Sequence, residues 1–211
     1  DPTMSPAGQP DPTLAQGLLA GGMMNRPLMI ADVLVYGADV YGDTTITSRR
    51  AEGDLHPATY AQTLVRTEKL AKALIDLGVK PGERVATLAW NGYRHVELYY
   101  AVSGIGSVCH TINPRLSAEQ VEFITHHADD RLLFVDLTFV PMVEKMLHIM
   151  PPGLRVVIMC GREHMPTTSI EGALCYEELL DAQDAGFVWP RFDENTASSL
   201  CYTSGTTGRS K

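Results

Sequence analysis

The stretch "RVATLAWNGYRHVELYYAVSGIGSVCHTIN", residues 84–113, determines the fold class predicted for this chain. It starts with a compact apolar run, "RVATLAW", and ends with a second strand-like run, "SVCHTIN". Between them, "YRHVELYYAVSGIG" has the length and the terminal glycine that are typical of a single helix. Apolar strands joined by one helix predict neighbouring parallel strands that are buried on both faces.

The same alternation of strands and helices continues in both directions. Capping boxes at residues 59–62 and 117–120 predict two helix starts, because each hydroxyl can accept from a helical N–H while the glutamine reaches back. Further helices are predicted at residues 28–42, 140–150 and 176–182, and further strands at "TTITSRR", "RLLFVD", "RVVIMC" and "ASSLCYT". We therefore predict an α/β fold with a mostly parallel sheet covered by helices.

Residues 1–25 differ in composition from the rest of the chain. They mix Pro, Gly, Asp and Gln with short apolar patches, which predicts a flexible N-terminal tail. The whole sequence of 211 residues is 45% hydrophobic and 20% charged, an ordinary balance for a globular protein. Residues 26–211 are therefore predicted to form one folded unit.

The net charge argues against nucleic acid as a partner. The formal charge is −8 at pH 7, and the sequence has no cluster of Lys and Arg. Nucleic-acid binding takes much of its affinity from neutralising phosphates with such clusters. An anionic ligand would have to be held by local donors, such as backbone N–H groups and a single lysine.

The cysteines and the apolar segments bear on the cellular compartment. The four cysteines, at positions 109, 160, 175 and 201, are far apart and form no C-x-x-C pair, so reduced and mostly buried thiols are expected. No apolar stretch approaches the roughly 18 to 20 residues that span a bilayer, and the sequence starts without the pattern of a secretory signal. These features predict a cytoplasmic protein without a transmembrane segment.

The last nine residues, "TSGTTGRSK" from Thr203 to Lys211, contain the strongest functional signal. Glycines at 205 and 208 let backbone N–H groups face one concavity, while the hydroxyls and Lys211 add donors that suit a polyphosphate. The spacing differs from that of a Walker A loop. A predicted strand leads directly into the segment, and ligands gather at the carboxyl ends of strands in open parallel sheets. The alternative is a solvated Ser/Thr/Gly linker.

The segment "YTSGTTGRSK" resembles the phosphate-binding motif of the adenylate-forming (AMP-binding) superfamily. One position departs from that motif, because Ser210 stands where the family usually has proline before the lysine. The preceding sequence is similar to the first half of medium- and long-chain fatty acyl-CoA ligases, especially in "LAWNGYRHVELYYA" and "CHTINPRL". The resemblance therefore extends well beyond the loop.

The resemblance implies a two-step ligation. A fatty or related carboxylic acid reacts with ATP to give an acyl-adenylate, and CoA then displaces AMP to form a thioester. Carried over by position, the residues that would contact the β- and γ-phosphates are Thr203, Ser204, Gly205, Thr206, Thr207, Gly208 and Lys211. The hydroxyl of Thr203 would lie nearest to Mg²⁺. The expected small-molecule partners are the carboxylic acid, ATP and CoA, and the resemblance also admits a homodimer of the intact enzyme.

The resemblance further implies that the sequence stops at the phosphate loop. In the family, the adenine contacts, the acidic metal ligand, most of the acyl pocket and the C-terminal domain with its catalytic lysine follow this loop. The chain should then be a partial N-terminal domain without a catalytic residue of its own, and residues 1–211 alone are predicted to be inactive. The alternative hypothesis is a non-catalytic α/β domain that binds an anion or a protein partner.

Four other groups of residues could suggest chemistry but have simpler explanations. Adjacent histidines on a helix diverge by about 100°, so we interpret "HHADD", residues 126–130, as a solvated helix end and not as a metal site. Cys109 and His110 are neighbours in a strand and should point to opposite faces. The aromatic residues at 90, 93, 99 and 100 are predicted to pack in the core, and the acids of "YEELLDA" to lie on a solvated helix face.

Overall fold

The computed structural model describes Gly22 and residues 26–203. The predicted tail at residues 1–25 therefore lies outside the described residues, apart from Gly22. The α-helices in the described range are α1 Ile30–Tyr41, α2 Tyr60–Asp76, α3 Tyr93–Gly104, α4 Ala118–Ala128, α5 Val140–Met146 and α6 Tyr176–Asp181. The strands are β1 Thr45–Arg49, β2 Leu55–Thr59, β3 Arg84–Leu88, β4 Val108–Thr111, β5 Leu132–Asp136, β6 Arg155–Met159, β7 Leu174–Cys175 and β8 Ser199–Cys201.

Six of the strands form one parallel sheet in the order β7-β6-β5-β3-β4-β8. Every neighbouring pair in this sheet is parallel. The α/β fold with a parallel sheet is thus confirmed. Because parallel strands end at a common edge, the residues that follow β3, β4, β5, β6 and β8 lie along one side of the molecule.

Two apolar clusters, one on each face of the sheet, explain why the central strands lack polar alternation. Leu133 and Val135 of β5 belong to the cluster that contains residues of α4 and α5. Leu132 and Phe134 of the same strand belong to the cluster that contains residues of α2, α3 and α6. Successive side chains of a strand point to opposite faces, so both faces need apolar residues when helices cover both.

Both predicted capping boxes are present at helix starts. The N–H of Gln62 donates to Thr59 Oγ1 at 3.1 Å, and the N–H of Thr59 donates to Gln62 Oε1 at 2.9 Å. The matching pair at Ser117 and Gln120 has distances of 3.3 and 3.0 Å. These contacts satisfy N–H groups that the first helical turn leaves without partners. They fix the starts of α2 and α4.

Strands β1 and β2 pair as a separate antiparallel hairpin, and β2 was missed by the sequence analysis. Pro57 lies in β2 opposite Thr47, and proline within an apolar or alternating run argues against a strand. Each strand of a two-stranded sheet is an edge, however, so the missing N–H of proline can face away from the partner. Proline is therefore compatible with this position.

The segment between α6 and β8, residues 182–198, returns the chain to the amino-terminal end of the sheet. Phe187 and Trp189 pack against the apolar cluster of α2, α3 and α6. The indole of Trp189 lies over Gly104, where a Cβ atom would come within 2.4 Å of the ring. Because the chain passes here before β8, this strand can run parallel to β4 and end at the carboxyl edge.

The acids of α6 are only partly solvated, which corrects the sequence interpretation. Glu178 pairs with Arg162 at the surface, as expected for a solvated face. Glu177 instead accepts from Arg66 at 2.9 Å and from Arg94 at 2.8 Å. The physical reason is that the start of α6 packs over α2 and α3, where these two guanidinium groups are largely buried and need carboxylate partners.

Most of the thiols are buried, as the sequence predicts. All four cysteines are free, and three are buried while Cys201 is exposed. Among the helices of the described residues, none combines the length and the apolar character that crossing a membrane requires.

Candidate functional site

Strand β8 carries the predicted phosphate-binding segment to the carboxyl edge of the sheet. Its three residues pair in parallel with β4, and Leu200 lies opposite His110. The strand ends at Cys201, next to the predicted end at Tyr202, and Thr203 follows as an exposed residue. The other predicted contacts, Ser204, Gly205, Thr206, Thr207, Gly208 and Lys211, lie outside the described residues. The structure thus places the start of the loop and leaves its contacts as a prediction.

Tyr202 fixes the chain immediately before the loop. Its ring packs against the apolar cluster that contains α4 and α5. Its hydroxyl shares a hydrogen bond of 2.6 Å with Nδ1 of His127, on the last turn of α4. Partial burial raises the pKa of the Tyr202 phenol. The end of β8 is therefore attached to α4 as well as to β4.

A buried histidine and carboxylate lie beside Tyr202. His110 Nδ1 is 2.8 Å from Asp130 Oδ2, and both side chains have no exposed surface. The rings of His110 and Tyr202 are 5.2 Å apart. Burial raises the pKa of the Asp130 carboxyl, although the bond to His110 opposes the shift. His110 Nε2 and Asp130 Oδ1 are buried without a hydrogen-bond partner among the described residues.

The pairing of Asp130 corrects the interpretation of "HHADD" as a solvated helix end. Asp129 is exposed and adopts a left-handed conformation with φ of 53°. This conformation reverses the chain after α4, and the Asp130 side chain that follows it is fully buried against His110. His126 and His127 are exposed, as expected, and bind Ile149 O and Tyr202 separately. Cys109 lies in the cluster of α2, α3 and α6, whereas His110 contacts Tyr202, which packs against the other cluster, and this agrees with the predicted alternation.

A cavity of about 330 Å³ opens where β3 and β5 end, beside the β1–β2 hairpin. Trp90, Arg94 and Asp136 are among its lining residues. Asp136 Oδ2 accepts from the backbone N–H of Trp90 at 2.6 Å, and burial raises the pKa of Asp136 to about 6. Arg94 is already paired with Glu52 at 2.7 Å and with Glu177. These two carboxylates compensate the charge of Arg94, and the cavity is also lined by Arg49 and Arg50.

Trp90 and Tyr99 correct the prediction that the four aromatic residues pack in the core. Tyr93 is buried, but 51% of Trp90 and 41% of Tyr99 are exposed. Trp90 lies beyond the end of β3, at the carboxyl edge of the sheet, where it packs on Phe139. A shallower cavity of about 270 Å³ adjoins it, lined by residues 89–91 after β3 and 113–115 after β4. The sheet order places this cavity between the larger cavity and the end of β8.

The donor set at the edge of β8 fits a metal ion held mainly by phosphates. Among residues 26–203 and Gly22, no group of three His, Cys, Asp or Glu side chains could hold a metal ion. Thr203 supplies an exposed hydroxyl oxygen at the strand end. Mg²⁺ typically takes one or two protein ligands and completes its shell with waters and substrate phosphates. One hydroxyl at the start of the predicted phosphate-binding segment is compatible with that mode of binding.

Sequence reasoning missed Asp136 at this edge and the buried pair of His110 and Asp130 beside Tyr202. Asp136 is the acid that ends a buried strand, which is a weak signal for a carboxylate at the carboxyl edge of a sheet. For His110 and Asp130 there was no local signal, because the residues are 20 positions apart and their contact depends on the reversal at Asp129.

Comparison with known proteins identifies relatives over most of the chain. A family model described as AMP-binding enzyme matches residues 37–211. A 3-methylmercaptopropionyl-CoA ligase of Ruegeria pomeroyi is 46% identical over 193 residues, which is 92% of this chain and 36% of that protein. A medium-chain-fatty-acid–CoA ligase of Ectopseudomonas oleovorans is 40% identical over 193 residues, with 92% and 35% covered. The chain thus spans about a third of the length of these curated relatives.

Solved structures have the same fold. An anthranilate CoA ligase in complex with anthranoyl-AMP superposes with a TM-score of 0.77 at 23% identity, covering 89% of this chain and 34% of that chain. A putative long-chain-fatty-acid CoA ligase from Rhodopseudomonas palustris gives a TM-score of 0.70 at 25% identity, with 87% and 43% covered. The parallel sheet described above is therefore shared with N-terminal portions of adenylate-forming enzymes.

Proposed function

Because the chain belongs to the AMP-binding enzyme family, we propose that it is the N-terminal part of an ATP-dependent acyl-CoA ligase. The proposed substrate is a fatty or related carboxylic acid. Support for this class comes from relatives that are named as ligases for 3-methylmercaptopropionyl, medium-chain and long-chain acyl groups. A cytoplasmic location and a homodimer of the intact enzyme stay predictions from the sequence.

One structural observation carries the proposal. Strand β8 pairs in parallel with β4 and delivers Thr203 to the carboxyl edge of the sheet. In open parallel sheets this edge is the usual ligand-binding side. A segment of glycines, hydroxyls and one lysine that starts there is well placed to bind a polyphosphate.

In the proposed reaction, an oxygen of the substrate carboxylate attacks the α-phosphorus of ATP. The bond from that phosphorus to the bridging oxygen of pyrophosphate breaks, and an acyl-adenylate forms. The thiolate of CoA then attacks the acyl carbon, the bond to the AMP oxygen breaks, and a thioester and AMP leave.

The role proposed for this chain is to hold the leaving pyrophosphate. The backbone N–H groups and hydroxyls of residues 203–208 would contact the β- and γ-phosphates, together with Lys211. Fixed donors aimed at the charge that develops on a leaving group lower the barrier more than water does. Mg²⁺, with Thr203 as one ligand, would supply further positive charge at the phosphates.

The proposal is tested by replacing Lys211 in the intact enzyme. Lys211→Ala should lower kcat/KM for ATP by about 100-fold, since a charge-assisted contact to the leaving group is lost. Arg209→Ala is the matched control, because Arg209 lies in the same segment but outside the predicted contacts. The measurement is release of AMP and pyrophosphate with a series of fatty acids and CoA. Equal effects of both substitutions would contradict the proposed role of Lys211.

The second candidate function is a non-catalytic domain that binds an anion or a partner. Among the described residues, Arg94 at the edge is already paired with Glu52 and Glu177, so its charge gives this candidate little support. It would be favoured if the intact protein bound ATP but released neither AMP nor pyrophosphate with any carboxylic acid.

A further inference from the structure

The buried pair of His110 and Asp130 has no role in the function proposed above. His110 lies in the middle of β4, and Asp130 lies in the turn between α4 and β5. Both side chains are fully buried, and each keeps one polar atom without a partner among the described residues. Burying such groups costs free energy, and an apolar pair of similar volume is often equally stable. Stability alone therefore does not explain this pair.

The pair lies against the residue that leads into the phosphate-binding segment. The ring of His110 is 5.2 Å from the ring of Tyr202, with an angle of 57° between their planes. Tyr202 also contacts His127, with ring centroids 5.8 Å apart and a hydrogen bond through the hydroxyl. The tyrosine ring is thus held between β4 and α4.

The orientation of His110 depends on Asp130. A histidine ring can rotate about its side-chain bonds, but the 2.8 Å bond from Nδ1 to Asp130 Oδ2 selects one rotamer. Asp130 is itself held by the turn after α4, where its N–H donates to Thr125 O at 3.1 Å. The ring face that meets Tyr202 is therefore fixed by a carboxylate on a different element.

We propose that His110 and Asp130 are positioning residues for the phosphate-binding segment. By fixing the ring of Tyr202, they fix the backbone of Tyr202, and one peptide unit of about 3.8 Å separates its Cα atom from that of Thr203. A small rotation of Tyr202 would displace the donors that follow, and misplacement by about 1 Å can cost a large factor in rate. This inference rests on the proposed function, because it assigns the segment to ATP.

The main test is the double variant His110→Leu/Asp130→Leu in the intact enzyme. Both buried polar groups are replaced together, so the urea midpoint should stay equal or rise. The KM for ATP should nevertheless rise about 10-fold, while the KM for the carboxylic acid changes less than 2-fold. Thr67→Val is the matched control, since Thr67 is a buried polar residue of α2 whose hydroxyl bonds to Thr63 O at 2.7 Å. Its KM for ATP should match the wild type.

Rescue and a milder variant complete the test. His110→Asn keeps an N–H in the position of Nδ1 and should keep the KM for ATP within about 3-fold of the wild type. If the double variant does not fold, Asp130→Ala decides instead, because it removes the acceptor for His110, and its KM for ATP should rise more than 3-fold. An unchanged KM for ATP in the double variant, or in Asp130→Ala when the double variant does not fold, overturns the inference. Absence of thioester formation by the wild type overturns the proposed function instead.

Discussion

At the carboxyl edge of the sheet, the surroundings of Asp136 change the pKa of its carboxyl group. Asp136 ends β5 beside Trp90, and burial raises the pKa of its carboxyl from 3.8 to about 6. Its hydrogen bond to the N–H of Trp90 favours the charged form but does not cancel the effect of burial. The sequence showed only an acid at the end of an apolar run, because desolvation depends on residues from the hairpin and from β6 that are distant in the chain.

The raised pKa of Asp136 predicts a dependence of stability on pH. The folded state binds the proton more tightly than the unfolded state, so this carboxyl favours folding below about pH 4, and the contribution is lost as the pH rises through about 6. Asp136→Asn keeps an acceptor for the N–H of Trp90 and cannot ionise. It should raise the free energy of unfolding at pH 7 by about 1–2 kcal/mol and leave it nearly unchanged at pH 4.

The measurement is urea unfolding of the intact protein between pH 4 and 7.5. Asp43→Asn serves as the control, because Asp43 is exposed and its removal tests the general effect of one charge less. A stability gain for Asp136→Asn that is equal at both ends of the pH range would show that ionisation of Asp136 is not the cause.

Contacts between elements depend on a group of buried charges that joins α2, α3 and α6. Arg66 of α2 donates to Glu97 of α3 at 2.6 Å and to Glu177 of α6 at 2.9 Å. Glu97 is fully buried and also accepts from the hydroxyl of Tyr176 at 2.6 Å. Burial raises the pKa of Glu97, although Arg66 opposes the shift. The start of α6 is held over the other two helices by these bonds.

We predict that removing the charge of Glu97 alone lowers the free energy of unfolding more than removing the charges of Glu97 and Arg66 together. Glu97→Leu leaves the Arg66 guanidinium buried with one carboxylate less and should cost about 3–5 kcal/mol of the free energy of unfolding. Arg66→Met/Glu97→Leu removes both charges and should recover at least about 1 kcal/mol of that loss. Urea unfolding midpoints of the intact protein measure the stability of both variants. A loss of stability in the double variant that equals the sum of the losses in Arg66→Met and Glu97→Leu would contradict the coupling.

The elements differ in how far the sequence predicts them. The starts of α2 and α4 follow from capping boxes within four residues, and both are confirmed because such contacts are local. Strand β2 was missed because Pro57 argues against a strand until its partner is known. Glu177 was placed on a solvated face because its partners, Arg66 and Arg94, lie more than 80 residues away in the chain.

At the scale of the whole molecule, one side of α1 exposes apolar residues to solvent. Ile30, Val33, Tyr36 and Val40 are each at least 41% exposed and recur at spacings of three and four residues, which places them on one helix face. An exposed apolar face of this kind is typical of a surface that is covered in a larger protein. The chain spans about a third of the length of these relatives, which agrees with the proposal that further residues complete the enzyme.

At this scale we predict that residues 1–211 alone form no thioester from carboxylic acid, ATP and CoA. The acyl pocket and the groups that act in the second step are expected in the remainder of the enzyme. The isolated polypeptide and the intact enzyme should be assayed at equal concentration, with circular dichroism to show that the polypeptide is folded. Thioester formation by the folded polypeptide would contradict the prediction.

The sequence by itself determined the fold class, the helix starts and the position of the predicted phosphate-binding segment after a strand. These features depend on periodicity, on caps and on glycine and hydroxyl spacing, all of which act over a few residues. The tertiary structure decided that β8 lies beside β4, that Asp130 turns inward to His110, and that Tyr202 is held between β4 and α4. Burial and pairing of these groups depend on contacts between distant segments, and only the packed sheet with its helices brings those segments together.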